Sequence, residues 1–218
     1  MNNLKKYFSY INYALNNIVF FLLIAPYTLT HLSQIEYIKK FTKKNKGICI
    51  ENNIPWLTYS SIEWLEKNLK PNMNTFEWGS GGSTIFFAKR VNKITSIEHD
   101  NEWYKDVSRK INDEKIVNCD YNLIPLIKDD LNDPYSKSIQ RYPNNSFDLI
   151  IVDGKNRNEC IFEAKNKLKA GGILLLDNSE RKEYTEGINS LNGWKRTDFF
   201  GPGPYNYYFW QTSIFIKP

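Results

Sequence analysis

Short apolar runs alternate with amphipathic stretches along most of the chain. The runs cover residues 75–78, 94–97, 115–118, 147–152 and 173–176, and the amphipathic stretches cover residues 84–90, 102–111 and 159–168. The fourth and fifth runs are continuously apolar, which is typical of strands buried on both faces. Strands that alternate with helices pair in parallel through right-handed crossovers. The pattern therefore predicts an α/β fold with a doubly wound, mostly parallel sheet.

The two ends of this pattern differ from its middle. Residues 194–199 and 212–216 have strand patterns, and the loop between them has no helical pattern, so they are expected to pair antiparallel and to complete a seven-stranded sheet. Before the first strand, Thr58 begins an amphipathic helix that ends before Pro71. Residues 39–53 show no periodicity, and we interpret them as a linker.

Residues 1–47 differ in composition from the rest of the chain. They contain seven lysines and one acid, Glu36, while residues 18–25 are wholly apolar. A spanning helix needs about 20 apolar residues and is the least favoured reading, and no small-residue site for signal cleavage follows. Two interpretations stay open: an interfacial helix whose lysines meet anionic headgroups, or a segment that covers the main domain or a second copy in a homodimer. The chain thus divides into a helical extension, residues 1–47, and a domain, residues 48–218.

The location of the charges bears on the choice of partners and of compartment. The 218 residues carry a net charge of +5; the extension alone carries about +6 and the domain about −1, so the domain is close to neutral. A neutral domain has no groove that follows phosphates, and we expect no nucleic-acid partner. Three scattered cysteines without a CxxC pair fit a reducing compartment. We therefore expect a cytoplasmic protein, with the inner membrane face as a peripheral contact for the extension.

The glycine-rich turn TFEWGSGGST, residues 75–84, joins the first predicted strand to a helix. Glycines let a backbone approach a ligand, and the first N–H groups of the helix are free to bind it. Thr84 stands where a dinucleotide fingerprint has its last glycine. Glu77 precedes the turn with a carboxylate that attracts a sulfonium or ammonium group, and Glu98 ends the next strand, where an acid accepts ribose hydroxyls. The turn favours a nucleoside with a cationic amino-acid tail over NAD.

The stretches FEWGSGGST and ITSIEHDNEWY resemble the first two motifs of class I S-adenosylmethionine-dependent methyltransferases, and the likeness extends over about residues 54–218. The resemblance implies a Rossmann-like fold and S-adenosylmethionine (SAM) as cofactor. It implies that Glu98 binds the ribose and that Asp120, after the third predicted strand, meets the adenine amino group. Ser83 replaces a third glycine of many members. The residues that would hold the methionine end of SAM are Glu77, Gly79, Ser80, Gly81, Gly82 and Ser83.

Polar residues also follow the fourth and fifth predicted strands, as Asp153 and the pair Asp177 and Asn178. The carboxyl ends of parallel strands meet at one edge of a sheet, so these side chains are expected to converge. Carboxylate and amide oxygens are the ligands that Mg²⁺ prefers. The trio is similar to the metal site of catechol-type O-methyltransferases, where the ion lowers the pKa of the acceptor hydroxyl. A second interpretation, without metal, is that the trio only shapes the crevice.

Which residue is the candidate general base depends on whether a metal is present. If a metal is present, Lys155 is the candidate base, although the catechol group has its lysine one position later, where this chain has Asn156. Without a metal, the candidates are Asp153 and His99, and His99 is more simply interpreted as flanking the adenosine pocket because it follows Glu98 directly.

The function predicted from these features is SAM-dependent O-methylation of a small-molecule or glycan hydroxyl. Arg157 and Arg181 flank the predicted crevice and are candidates for binding an anionic acceptor. One alternative is an NAD(P)-dependent oxidoreductase of the Rossmann type, against which Thr84 and the lack of a Tyr-x-x-x-Lys pair argue. The other is a non-catalytic interaction module on the same fold.

Overall fold

The sheet has seven strands in the order β3-β2-β1-β4-β5-β7-β6. The structure is a computed structural model, and it describes residues 22, 48–127, 133–204 and 209–218. The first five strands pair in parallel, and β7 lies antiparallel between β5 and β6. This topology confirms the predicted fold class. The strands are β1 (Asn74–Trp78), β2 (Lys93–Glu98), β3 (Cys119–Leu123), β4 (Phe147–Val152), β5 (Leu168–Asp177), β6 (Lys195–Gly201) and β7 (Trp210–Ile216).

Helices cover both faces of this sheet. Two short 3₁₀ segments, Ser138–Arg141 and Lys182–Tyr184, extend the helices that they adjoin. The helices of the described domain are α1 (Ile48–Asn52), α2 (Tyr59–Asn68), α3 (Gly82–Ala88), α4 (Asn101–Asp113), α5 (Pro134–Lys137), α6 (Arg157–Ala164) and α7 (Thr185–Asn189).

Alternate residues of β4 show how the two apolar layers form. Ile150 and Val152 join a cluster that includes residues of α5 and α6, whereas Leu149 and Ile151 join a cluster that includes residues of α2 and α3. All four side chains are buried. Successive side chains of a strand point to opposite faces, so a continuously apolar strand needs a cover on both sides. The two clusters fix the sheet between two layers of helices and so position the strand ends.

The predicted position of the third strand is wrong. Residues 115–118 form the turn between α4 and β3, in which Lys115 has a left-handed backbone (φ 54°) and Val117 is exposed. The Asn118 amide donates to the carbonyls of Ala88 and Val91, which ties this turn to the end of α3. The strand begins at Cys119 instead, so Asp120 lies near the start of β3 and not beyond its end.

Two further expectations concern the chain before β1. Residues 39–53 were interpreted as a linker, but residues 48–52 form α1, and Cys49 and Ile50 are buried. The extension, residues 1–47, lies outside the described residues except for Leu22, so its contacts with a membrane, the domain or a second copy stay predictions. Within the ranges that the structure describes, no helix combines the length and apolarity that a bilayer span requires.

Candidate active site

A cavity of about 610 Å³ opens at the C-terminal ends of the parallel strands. Its wall contains residues 79–83 after β1, residues 98–99 at the end of β2, residues 153–155 after β4, and residues 177–178 at the end of β5. Open α/β sheets bind ligands at this edge. The segments singled out in the sequence therefore surround one cavity.

The glycine turn makes two approaches that a side chain would block. Gly79 has a left-handed backbone (φ 88°), and a Cβ there would lie 2.7 Å from the Cα of Gly154. A Cβ on Gly82 would overlap the carbonyl oxygens of Cys49 and Ile54. The turn after β1 thus touches the loop after β4 on one side and the α1 segment on the other, and these contacts require glycine.

Glu77 lies beneath the turn and does not line the cavity. Its side chain is fully buried, and its Oε2 accepts hydrogen bonds from Thr84 Oγ1 at 2.7 Å and Ser96 Oγ at 2.6 Å. Thr84 Oγ1 accepts in turn from the N–H of Gly81 at 3.1 Å. Burial raises the pKa of Glu77 to about 7, against the opposing effect of its hydroxyl donors. The prediction that this carboxylate faces the ligand is wrong; it fixes the backbone of the turn through Thr84.

Glu98 lines the cavity at the tip of β2. Its Oε2 accepts from the Ser80 N–H at 3.1 Å and the Ser80 hydroxyl at 2.8 Å. Its Oε1 accepts from the N–H groups of His99 and Asp100 at 2.7 and 2.9 Å. Burial alone would raise its pKa, but the donors of His99, Asp100 and Ser80 outweigh burial and hold the pKa below the usual value. The cavity therefore has an ionised acceptor at this point.

His99 and Asp120 differ in their distance from the cavity. His99 lines it, with Nδ1 2.9 Å from Glu98 Oε1 and its ring edge-on to Tyr135. Asp120 does not line it: its carboxylate accepts from the Asn122 amide at 2.9 Å and the Tyr142 hydroxyl at 3.1 Å. The adenine contact predicted for Asp120 is wrong because β3 begins four residues later than the predicted strand.

The predicted metal trio does converge, but around a side chain of the protein. Arg157, at the start of α6, donates from Nη2 to Asp153 Oδ1 at 3.1 Å and from Nη1 to Asn178 Oδ1 at 3.4 Å. It also donates from Nη1 to the backbone carbonyl of Asp177. The Asp177 carboxylate turns away to β7, where Oδ1 accepts from Trp210 Nε1 and Thr212 Oγ1 at 2.9 and 2.6 Å.

The two carboxyl groups of this trio have raised pKa values. Burial and the nearby Asp177 charge raise the pKa of Asp153, and the Arg157 guanidinium only partly opposes them. Burial raises the pKa of Asp177 to about 6, against Arg157, Thr212 and Trp210. Both acids thus favour the protonated form more than an exposed aspartate does.

Lys155 and Arg181 line the same end of the cavity. Lys155 is exposed, and no described residue accepts a hydrogen bond from its ammonium group. Arg181 has Glu183 at 3.9 Å, a distance typical of a weak surface ion pair. Of the two arginines predicted to bind an acceptor, Arg181 is open to the cavity, whereas Arg157 is held by the protein.

Comparisons with known proteins agree with this topology. No family model matches the sequence, and no curated protein matches it. Solved structures do match. A Klebsiella pneumoniae protein described as an O-methyltransferase has a TM-score of 0.60 at 16% identity and covers 86% of this chain and 97% of its own. An rRNA methylase from Streptococcus thermophilus has a TM-score of 0.53 at 15% identity, covering 73% of this chain and 94% of its own.

A third match bears on the ligand of this fold. A Streptococcus mutans protein solved with SAH (S-adenosylhomocysteine) has a TM-score of 0.53 at 14% identity and covers 72% of this chain and 96% of its own. The chain has the class I methyltransferase fold. Within that fold, the turn after β1 and Glu98 at the end of β2 lie in the wall of the cavity.

The hydrogen bonds of the predicted metal trio test the magnesium prediction. Oδ1 of Asp153 and Oδ1 of Asn178 accept from Arg157, and Oδ1 of Asp177 accepts from Trp210 and Thr212. In the part of the chain that the structure describes, no group of three or more His, Cys, Asp and Glu side chains is arranged to hold a metal ion. The trio therefore does not fit Mg²⁺.

One residue beside the cavity was not expected from the sequence. Trp103 of α4 lies over the glycine turn, with its indole N–H donating to the Ser80 carbonyl at 2.8 Å. A signal for it existed, because Asp100 caps α4 by accepting from the Trp103 N–H, so the helix starts directly beside Glu98. Trp56 also lines the cavity and is 42% exposed. It precedes the first strand, where the sequence predicts a segment that covers the cofactor.

Proposed function

We propose that the chain is a SAM-dependent methyltransferase that transfers a methyl group to a hydroxyl of a small-molecule or glycan acceptor. The observation that carries the proposal is Glu98, an ionised carboxylate at the tip of β2 that faces a cavity beside the glycine turn. An acid at this position of a nucleotide-binding sheet accepts ribose hydroxyls.

The residues around Glu98 can accommodate a ribose without breaking the turn. The Ser80 hydroxyl lies 2.8 Å from Glu98 Oε2 and 2.7 Å from the Tyr121 hydroxyl. When a ribose hydroxyl donates to Glu98, the Ser80 hydroxyl can turn to Tyr121 and remain bonded. The backbone of the turn stays fixed by Glu77 through Thr84, as described above. We assign His99 to the adenosine side because it lines the cavity next to Glu98.

At the other end of the cavity we propose Asp153 as the general base. SAM supplies a methyl group already activated on a sulfonium, so the protein has to orient the acceptor and take its proton. The Asp153 side chain is 21% exposed, Arg157 fixes its Oδ1, and no described residue donates to its Oδ2. Because its pKa is raised, the ionised form of Asp153 is a stronger base than an exposed aspartate. Lys155, at the rim, and His99, beside Glu98, are less well placed for this step.

Two other functions are weighed against this one. A dinucleotide-binding oxidoreductase is disfavoured because the common Rossmann sheet has the order 3-2-1-4-5-6, whereas β7 is inserted antiparallel here. A nucleic-acid acceptor is the second candidate, because the similar Streptococcus thermophilus protein is an rRNA methylase. The expectation of no nucleic-acid partner is therefore weakened, and an RNA oligonucleotide belongs among the acceptors tested.

The first experiment compares ligands on the full-length protein. We expect SAH to raise the thermal unfolding temperature and NADH to leave it unchanged, because only a ligand that binds the folded state stabilises it. Stabilisation by NADH alone would favour the oxidoreductase. If neither ligand stabilises the protein, the fold serves a non-catalytic role.

We propose that residues 1–47 bind peripherally to the inner, cytoplasmic face of a membrane. The support is the lysine-rich composition of residues 39–46, which follow the apolar run of residues 18–25 along the chain, because each lysine adds about 1 kcal/mol of attraction to an anionic surface. Sedimentation of the full chain with anionic and with neutral vesicles tests this contact. Absence of binding to either kind of vesicle would favour packing of the segment on the domain or on a second copy.

A further inference from the structure

Every hydrogen-bond donor of Arg157 is used inside the protein. Nε donates to the Gly154 carbonyl at 2.9 Å, Nη2 donates to the carbonyl and to Oδ1 of Asp153 at 2.9 and 3.1 Å, and Nη1 donates to the Asp177 carbonyl and to Asn178 Oδ1. A guanidinium has five N–H groups, and five oxygens accept from them. The residue is only 8% exposed, so these bonds form out of bulk water.

The five oxygens have the character of a hard-cation site. Three are backbone carbonyls, one is an amide oxygen and one is a carboxylate oxygen, which are the groups that bind Mg²⁺ and Ca²⁺ in proteins. They come from the loop after β4 and from the end of β5. The positive charge that holds these two loops together is therefore the guanidinium of Arg157, and not a metal ion.

The local backbone directs Arg157 to this position. Asn156 and Asn178 both have left-handed conformations (φ 45° and 52°), and Asn156 is tied by its amide to Asp133 Oδ2 at 3.0 Å. On the other side, the guanidinium lies 5.2 Å from the ring centroid of Tyr184. The arginine is thus enclosed by protein, and its replacement by an ion would leave Tyr184 without its charged partner.

We propose that the guanidinium of Arg157 takes the place of a divalent cation at the acceptor end of the cavity, so that this chain works there without a metal. The occupation of the site by Arg157 follows from the contacts alone. Its consequence for catalysis rests on the proposed function. Because Arg157 has no free N–H group, it cannot bind and acidify an acceptor hydroxyl as a metal does. It acts as a positioning residue that fixes one oxygen of Asp153 and leaves the other for the acceptor proton.

The test measures Mn²⁺ binding to the full-length protein by electron paramagnetic resonance, with Arg157→Ala and with Arg181→Met as a matched control from the same cavity. We expect no Mn²⁺ binding by the wild type or by Arg181→Met up to about 1 mM, the weak end for oxygen-ligand sites. In Arg157→Ala the five oxygens lose their cation, and we expect binding at least about tenfold tighter than that limit. Adding Asp153→Asn to this variant should abolish the binding.

Two results would overturn the proposal. One is Mn²⁺ binding by the wild type that Asp153→Asn removes, because the arginine would then yield to the ion. The other is a folded Arg157→Ala protein, checked by circular dichroism, that binds no Mn²⁺. If Arg157→Ala does not fold, Arg157→Lys and the wild-type titration decide. These outcomes do not depend on SAH binding, so a failure of the proposed function is seen separately.

Discussion

At the β2 end of the cavity, a buried carboxylate is surrounded by hydrogen-bond donors. At the β4 and β5 end, the Asp153 carboxylate is bonded to Arg157 and lies near a second buried carboxylate, that of Asp177. Glu98 accepts from two groups of Ser80 and from the N–H groups of His99 and Asp100. Among the residues that the structure describes, only Arg157 donates to the Asp153 side chain. The pKa of Glu98 is lowered, and the pKa of Asp153 is raised.

The difference shows how two carboxyl groups in one cavity come to suit two different roles. Burial raises the pKa of any carboxylate, and hydrogen bonds to the charged form lower it. The donors of His99, Asp100 and Ser80 outweigh burial at Glu98, so that group is suited to accept from hydroxyls. Fewer donors and a neighbouring acid leave burial dominant at Asp153, so that group is suited to take a proton. The two ends of the cavity should therefore respond differently to mutation.

The largest effect is expected from Asp153→Asn. We expect methyl transfer to fall by about 100-fold or more, because a general base contributes about 10²–10⁴-fold, while SAH affinity stays within about twofold. Lys155→Gln, at the rim, should lower turnover by less than about tenfold. SAH formation on a panel of catechols and methyl glycosides measures turnover, and calorimetry measures affinity.

The opposite pattern would contradict the roles assigned to the two ends of the cavity. If Asp153→Asn loses SAH binding and Lys155→Gln loses turnover, the acid belongs to the cofactor end and the lysine is the base. Glu186→Gln, an exposed substitution on α7 away from the cavity, is the control for both measurements.

A smaller effect is expected from Glu77→Gln, and it depends on pH. The pKa of Glu77 is raised to about 7 in the folded protein, so the native state holds more protons than the unfolded state between about pH 4.5 and 7. The contribution of Glu77 to the free energy of unfolding is thus fully present below about pH 4.5 and is lost as the pH rises through 7. Glutamine removes the loss, so the variant should be more stable than the wild type at pH 8, by up to about 3 kcal/mol.

At pH 5 the same variant should match the wild type, since Glu77 is then protonated. Thermal unfolding of both proteins at pH 5 and pH 8 measures the difference. A variant that is less stable at both values would show that the charge of Glu77, and not only its hydrogen bonds to Thr84 and Ser96, supports the turn.

The parts of the site that could be predicted are those set by local sequence. The order of strands and helices follows from the apolar pattern, and the glycine turn and Glu98 follow from their places at strand ends. Asp120 could not be placed, because the choice between residues 115–118 and Cys119–Leu123 as the third strand depends on a left-handed turn at Lys115 and on the Asn118 amide contacts.

The roles of Glu77 and Arg157 depend on contacts between distant segments. Glu77 has the expected sequence position, but Ser96 on β2 and Thr84 on α3 hold its carboxylate away from the cavity. The trio after β4 and β5 converges as strand ends predict, yet only the folded chain brings the Arg157 side chain between those loops. Sequence position therefore predicted which residues meet, and not which atoms bond.

The most direct test of the account is calorimetry of SAH binding to the wild type, Glu98→Gln and the control Glu186→Gln. We expect the wild type and the control to bind SAH equally, and Glu98→Gln to bind at least about tenfold more weakly, because each lost hydrogen bond to a charged group costs about 1.5–3 kcal/mol. Wild-type protein that gives no heat with SAH, or Glu98→Gln protein that binds it as tightly as the control, would contradict the assignment of this cavity to SAM.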